Sequence, residues 1–326
     1  METTDTGIIE FENLSQALTF YAKEILKEDK IISKNAKNIE SYKKELIELH
    51  PIFFKLTDSK KVIFNHKNYS CISYWVVGEI LTEMLGMNPP IMTNYREDIV
   101  SWSYDLLCSG RACYGYGVRW LNHNSLEKTY ERLKNNPTSK RCYVPIFDQN
   151  DVGDSRDAPC NLGYLFLLRD NKLDITLFTR SIDIMKGFRY DFSLFSFIQQ
   201  AMASWLGVEV GNLYYYCNSL HCYGENIPAL KKLKQYLSYH ENDVLELELD
   251  EKLEIGKTYA DLRKIVDMES CIRNKKPFNL SELSALSYKF SRDFVRVFLL
   301  KSRTPNLEVF DRIINSMETK MKGWFE

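Results

Sequence analysis

The chain has 326 residues, 44% hydrophobic and 13% aromatic, which is enough apolar surface for one large or two ordinary domains and too much for a disordered chain. Lys and Arg number 43 against 44 Asp and Glu, a net charge of -1, which argues against a chain-wide basic surface for duplex nucleic acid but permits a local anion pocket. No apolar run approaches the roughly 20 residues of a membrane helix, the first residues lack a signal-peptide pattern, and eight cysteines without a C-x-x-C pair suggest neither zinc nor disulfides, so a reduced, cytoplasmic setting is expected.

In chain order, "ENLSQALTFYAKEILKE" (12–28) has apolar residues at helical spacing. "SKNAKNIESYKKELIELH" (33–50) is basic and then amphipathic. "YSCISYWVVGEILTEMLGMNPP" predicts a buried helix stopped by Gly86 and the pair Pro89–Pro90. "SLEKTYERLKNNPTSKR" predicts an exposed helix. The middle then turns β-branched and aromatic in "KRCYVPIF", "LGYLFLLRDNKLDITLFTRS" and "GNLYYYCNSLHCY", with "RDNKLD" placed as a hairpin turn. Between the last two, "YDFSLFSFIQQAMASWLGVEVG" predicts a helix apolar on most of its circumference. From about His240 the chain is charged and helical, with a 3.6-residue period in "SELSALSYKFSRDFVRVFLL". The class expected is α+β or mixed α/β, one sheet-containing core plus a helical C-terminal part.

Several residues carry candidate chemistry. Cys160 follows a proline and opens a strand, a place where a thiol is exposed and held rigid; its ordinary reading is a packed cysteine. Lys140 and Arg141 start one strand and Arg180 ends another, so three cations stand where they could converge on a phosphate, although each alone reads as a solvated charge. Ser219, His221 and Tyr223 alternate and share one strand face. Glu79 interrupts an apolar helix; burial would raise its pKa and suit proton transfer, unless the helix turns it outward together with Glu83.

The order of these features resembles the thymidylate synthase superfamily: Lys-Arg before a strand, Pro-Cys, then R-S-x-D-x-x-x-G, then S-L-H-x-Y, from about Ser139 to Tyr223. Upstream, "GEILTEMLG" resembles the helix of the family's catalytic glutamate, "CYGYGVRW" its V-Y-G-x-x-W-R stretch, and "SKNAKNIES" a degenerate phosphate loop with Lys34 for arginine. The resemblance implies a thymidylate synthase-like α+β fold, a mixed sheet flanked by helices, over residues 1–239, with a helical C-terminal extension, 240–326, packed on the same domain. It implies Cys160 as the nucleophile that adds to C6 of a pyrimidine nucleotide, and Glu79 as the residue that orders a water for proton transfers. Lys140, Arg141, Arg180, Ser181 and Ser219 would hold the nucleotide, most of them at its 5′-phosphate. His221 and Tyr223 would bind the sugar 3′-hydroxyl. Asp183 and Trp102 would serve the co-substrate 5,10-methylenetetrahydrofolate. A homodimer is implied too, with Lys140 and Arg141 donated across the interface.

The departures narrow the reading. Pro-Cys-His is here Pro-Cys-Asn, with Asn161, a position at which the hydroxymethylase branch also departs from histidine. Lys140 replaces an arginine and loses its fork. Asn218 lies near the base in this comparison without an assignable role. The family's C-terminal tail is not recognisable in "FDRIINSMETKMKGWFE". Asp191 stands where thymidylate synthases place the asparagine that reads uracil, and "GFRYD" resembles the corresponding stretch of deoxycytidylate hydroxymethylases. An aspartate there would suit cytosine; alternatively it is an N-cap for the helix that follows. The resulting expectation is a (deoxy)cytidylate 5-hydroxymethyltransferase. The alternatives are a C5 methyltransferase acting on dUMP or dCMP, and an inactive homologue that binds nucleotide or RNA. Ser181 leans toward a deoxynucleotide, and Lys140 away from it.

Overall fold

The structure is a computed structural model that describes residues 7–27, 32–33, 45–64, 73–87, 91–95, 115–152, 158–240, 244–302 and 307–325. The Lys34 loop and Trp102 lie outside the described residues.

Six strands form the main sheet: β1 (Ile9–Phe11), β4 (Ile52–Leu56), β6 (Tyr143–Pro145), β7 (Asn161–Arg169), β8 (Lys172–Thr179) and β10 (Glu209–Cys217), in the order β1-β4-β10-β8-β7-β6. It is mixed: β1 pairs parallel to β4 and β10 parallel to β8, while the other neighbours run antiparallel. The β7–β8 hairpin turns at Asp170 and Asn171, with φ of 48° and 60°. Both central residues are left-handed, as a two-residue turn between twisted strands requires, and Asp and Asn tolerate that region best among non-glycines.

A second sheet has the order β2-β3-β11-β9, from β2 (Ile32–Ser33), β3 (Glu45–Leu49), β9 (Ile182–Asp183) and β11 (Leu220–Tyr223). A third pairs β5 (Lys61–Phe64) with β12 (Val244–Glu246). The extension expected to be helical therefore opens on a strand.

The helix α5 (Phe188–Leu206) covers one face of the main sheet. Phe188 and Phe192 pack on Tyr215, Phe192 stacks on Phe54, and Phe195 meets Tyr164. All six side chains are fully buried, each stabilising by about 1.5–3 kcal/mol. Gly207, at φ 70°, closes α5: Val208 N donates to Ala203 O at 3.0 Å, a bond that only a left-handed residue at this point allows.

The remaining helices are α1 (Leu14–Ile25), α2 (Ser73–Leu85), α3 (Tyr116–Asn122), α4 (Ser125–Asn135), α6 (Ile227–Leu237), α7 (Ile255–Arg273), α8 (Lys289–Ser302) and α9 (Leu307–Asn315). The helix α2 is apolar nearly all round because it is enclosed by α3, α5, α7 and α8. The C-terminal helices thus help build the core that carries Glu79. The end of the chain is tied down by charge. The fully buried Asp293 accepts from the backbone N–H groups of Glu318 and Thr319 and from Arg296, and Arg292 forks onto Glu318. No described helix is long and apolar enough to cross a membrane.

Candidate active site

The end of β8, the start of β7 and the first turn of α5 meet at Cys160. Arg180 N donates to Cys160 O at 2.8 Å, and the Arg180 guanidinium donates to Pro159 O at 2.8 Å and to Ala158 O at 2.7 Å. The arginine thus holds the Pro-Cys turn and leaves the thiol half-buried. Its Nη1 also reaches the Ser181 hydroxyl at 3.2 Å.

Behind the thiol lies a buried polar chain. The Thr179 hydroxyl donates to Asn161 Oδ1 at 2.6 Å, and Asn161 Nδ2 donates to Asp191 Oδ2 at 2.8 Å. Asn161 is 1% exposed and Asp191 5%. The threonine fixes which way the asparagine amide points, so Asp191 Oδ2 receives a donor. Burial pushes the Asp191 carboxyl up to about 7 in spite of Asn161. The capping reading of Asp191 is corrected here. The helix begins at Phe188 with Gly187 at the N-cap position, so Asp191 lies within its first turn rather than at its cap.

Glu79 and Glu83, one turn apart, face Asp191 from α2. Both are turned inward, which overturns the outward alternative. Glu79 Oε2 is sealed from solvent with no partner among the described residues. Burial, then the charges of Asp191 and Glu83, push Glu79 well above the ordinary range. Burial likewise takes Glu83 up to about 8, although Glu83 accepts from Gly117 N at the start of α3. Three carboxylates in one dry pocket cannot all ionise, so the cluster retains protons near neutrality.

The second sheet brings another row together. Asp183 on β9 lies across from His221 on β11, which lies across from Glu48 on β3. The Tyr223 ring stands edge-on to His221 at 5.1 Å. Asp183 Oδ1 accepts from Met185 N at 2.8 Å, while its Oδ2 is buried without a partner among the described residues, an acceptor open to N–H donors of a ligand. The Ser219 hydroxyl gives its proton to Glu48 rather than presenting it to an anion.

Lys140 and Arg141 do not join this cluster within one chain. They are exposed at the far end of β6, where the β6–β7 register continues to about Leu167, roughly 20 Å of strand from Cys160. Sequence reasoning missed Glu48 altogether and treated Glu83 only as the companion of an outward Glu79. The i, i+4 spacing of Glu79 and Glu83 was a signal that both share one fate; nothing local marked Glu48, which acquires its neighbours by strand pairing.

The family profile described as thymidylate synthase matches residues 59–272, more than half of the chain. The chain belongs to the thymidylate synthase family. Among similar proteins are the deoxyuridylate hydroxymethyltransferase of Bacillus phage SP01, 31% identical over 222 residues, which are 63% of this chain and 56% of that one. The thymidylate synthase of Mycoplasma mobile is 27% identical over 160 residues, covering 48% of this chain and 54% of its own length. That of Corynebacterium aurimucosum is 24% identical over 204 residues, 60% and 71% respectively. The chain thus spans little more than half the length of the first two relatives. The family match runs from β5 into α7, across residue 240, in keeping with the shared core around α2.

Proposed function

We propose that this thymidylate synthase-family chain is a (deoxy)cytidylate 5-hydroxymethyltransferase. The observation that carries the reading is Asp191: a buried carboxyl, held by Asn161, beside Cys160 and raised to about 7. Cytosine presents an acceptor at N3 and a donor at N4. A carboxyl that gives or shares one proton with N3 and accepts from the amino group satisfies both. Uracil reverses the pattern and is matched only while the carboxyl keeps its proton. Each unsatisfied buried partner costs about 1–3 kcal/mol, enough to set the base.

In this reading the Cys160 thiolate adds to C6 and makes C5 nucleophilic. The co-substrate 5,10-methylenetetrahydrofolate supplies the one-carbon unit at the oxidation level of formaldehyde. C5 bonds to that carbon, loss of the C5 proton expels tetrahydrofolate and leaves an exocyclic methylene, water adds to this methylene, and Cys160 is expelled. Glu79 manages protons at the base, as its raised pKa and unpartnered oxygen suit. The open Asp183 oxygen suits the pterin N–H groups. His221 and Tyr223 take the sugar 3′-hydroxyl, and Arg180 and Ser181 the 5′-phosphate.

Lys140 and Arg141 complete the phosphate site from a second copy of the chain. The outer face of the main sheet supports such a homodimer. Phe53 and Tyr143 are 41% and 44% exposed, and Tyr214, Tyr216 and Phe178 complete an aromatic surface with them. One specific observation favours a second reading, a deoxyuridylate substrate: the name of the phage relative. Tritium release from C5-labelled CMP, dCMP and dUMP in the presence of methylenetetrahydrofolate separates the readings. Release from a cytosine nucleotide is expected; release from dUMP alone selects the second reading, and release from none leaves an inactive nucleotide-binding homologue. Chromatography of the product tells hydroxymethyl from methyl.

A further inference from the structure

Glu48 belongs to none of the motifs that point to the family. On the second sheet it is the cross-strand partner of His221, and Asp183 is the partner of His221 on the other side. Cross-strand partners project from one face with Cβ atoms about 5 Å apart. Asp183, His221 and Glu48 therefore form a row over three strands, with Tyr223 against the imidazole. Ser219, immediately before β11, donates its hydroxyl to Glu48. A half-buried carboxylate repels phosphate but accepts readily from neutral hydroxyls, and its two oxygens have room for about four donors, of which Ser219 is one.

We propose that Glu48 reads the sugar: it accepts from the ribose 2′-hydroxyl, so that CMP is preferred over dCMP. The inference rests on the reading above, in which His221 and Tyr223 hold the 3′-hydroxyl. The 2′- and 3′-hydroxyls of ribose sit on adjacent carbons and on one side of the ring, and a carboxylate beside the residue that binds one is in position for the other. Deoxyribose leaves that carboxylate without its donor, and a site built to bind a hydroxyl penalises the analogue lacking it. A ribose-reading Glu48 opposes the lean toward a deoxynucleotide that Ser181 suggests.

The test measures kcat/KM for CMP and dCMP by tritium release, with the wild type and with Glu48→Gln, and dissociation constants of both nucleotides for the wild type alone. The wild type is expected to favour CMP by about tenfold or more in both measurements. Glu48→Gln is expected to shrink the CMP-to-dCMP ratio about tenfold. Equal or better use and binding of dCMP by the wild type would overturn the inference, as would equal losses on both nucleotides in Glu48→Gln. The binding comparison stands even if the variant does not fold. Release from dUMP alone, or from no nucleotide, instead defeats the cytidylate reading beneath it, and the inference with it.

Discussion

Asn161 donates to Asp191 at 2.8 Å while accepting from Thr179 at 2.6 Å, so the residue after the candidate nucleophile orients the residue proposed to read the base. The chain departs from the usual family residues at both positions, and the two departures touch.

Asp191→Asn is expected to move preference from cytosine toward uracil by at least tenfold in the ratio of kcat/KM values, because one or two matched bonds change sides. Tritium release from dCMP and dUMP checks it. Unchanged preference would show that the carboxyl does not touch the base.

Preference should also depend on pH. Both bases need one proton on the pair with Asp191, but cytosine N3 is a stronger base than uracil O4 and keeps that proton to higher pH. With that carboxyl raised to about 7, the cytosine-to-uracil ratio is expected to grow as pH rises from 6 to 8.5. A flat ratio over that range would refute the proton-sharing account.

Stability follows from the same cluster. Asp191, Glu79 and Glu83 are all raised, so the folded state binds more protons than the unfolded state above pH 4. Their stabilising contribution is complete below about pH 4 and is lost as pH rises through the folded values, about 7 for Asp191 and about 8 for Glu83. Glu83→Gln, whose amide oxygen still accepts from Gly117 N, removes one charge. Urea midpoints at pH 6 and 9 should differ less in the variant than in the wild type, by on the order of 1 kcal/mol.

Gly117→Ala is expected to cost about 3 kcal/mol or more. A Cβ there would overlap the Glu83 backbone, because α2 and α3 meet main chain to main chain. Thermal unfolding measures the loss, and a variant as stable as the wild type would show that this helix contact yields easily.

Mixing two inactive variants tests the shared site. Cys160→Ala lacks the nucleophile and Arg141→Ala the phosphate ligand proposed for the partner. If Arg141 acts across the interface, mixed dimers contain one intact site and activity returns on mixing. Activity that stays at the background of the separate variants would place Arg141 outside the partner's site.

The hairpin at Asp170–Asn171, the buried helix α5 and the amphipathic α8 were legible in the sequence because each follows from local chemistry: turn residues that tolerate left-handed backbone, and apolar periods that match a helix. The strand β12 was not, since three residues of mixed character become a strand only by pairing with β5. Within the site, the row from Arg180 to Asp191 was legible through its resemblance to a family. The inward turn of Glu79 and the burial of Glu83 were not, because an acidic residue in an apolar helix faces solvent unless other helices close around it, and α7 and α8, roughly 200 residues further along the chain, do so.

The sequence by itself determined the family and the α+β class, because these are written in residue types at short spacing. Only the tertiary structure decided what those residues do to one another. It buried Asp191 as the hydrogen-bond partner of Asn161, and it set Glu48 beside His221. Both outcomes depend on removing carboxylates from water and on strand register, and neither property exists until distant segments pack.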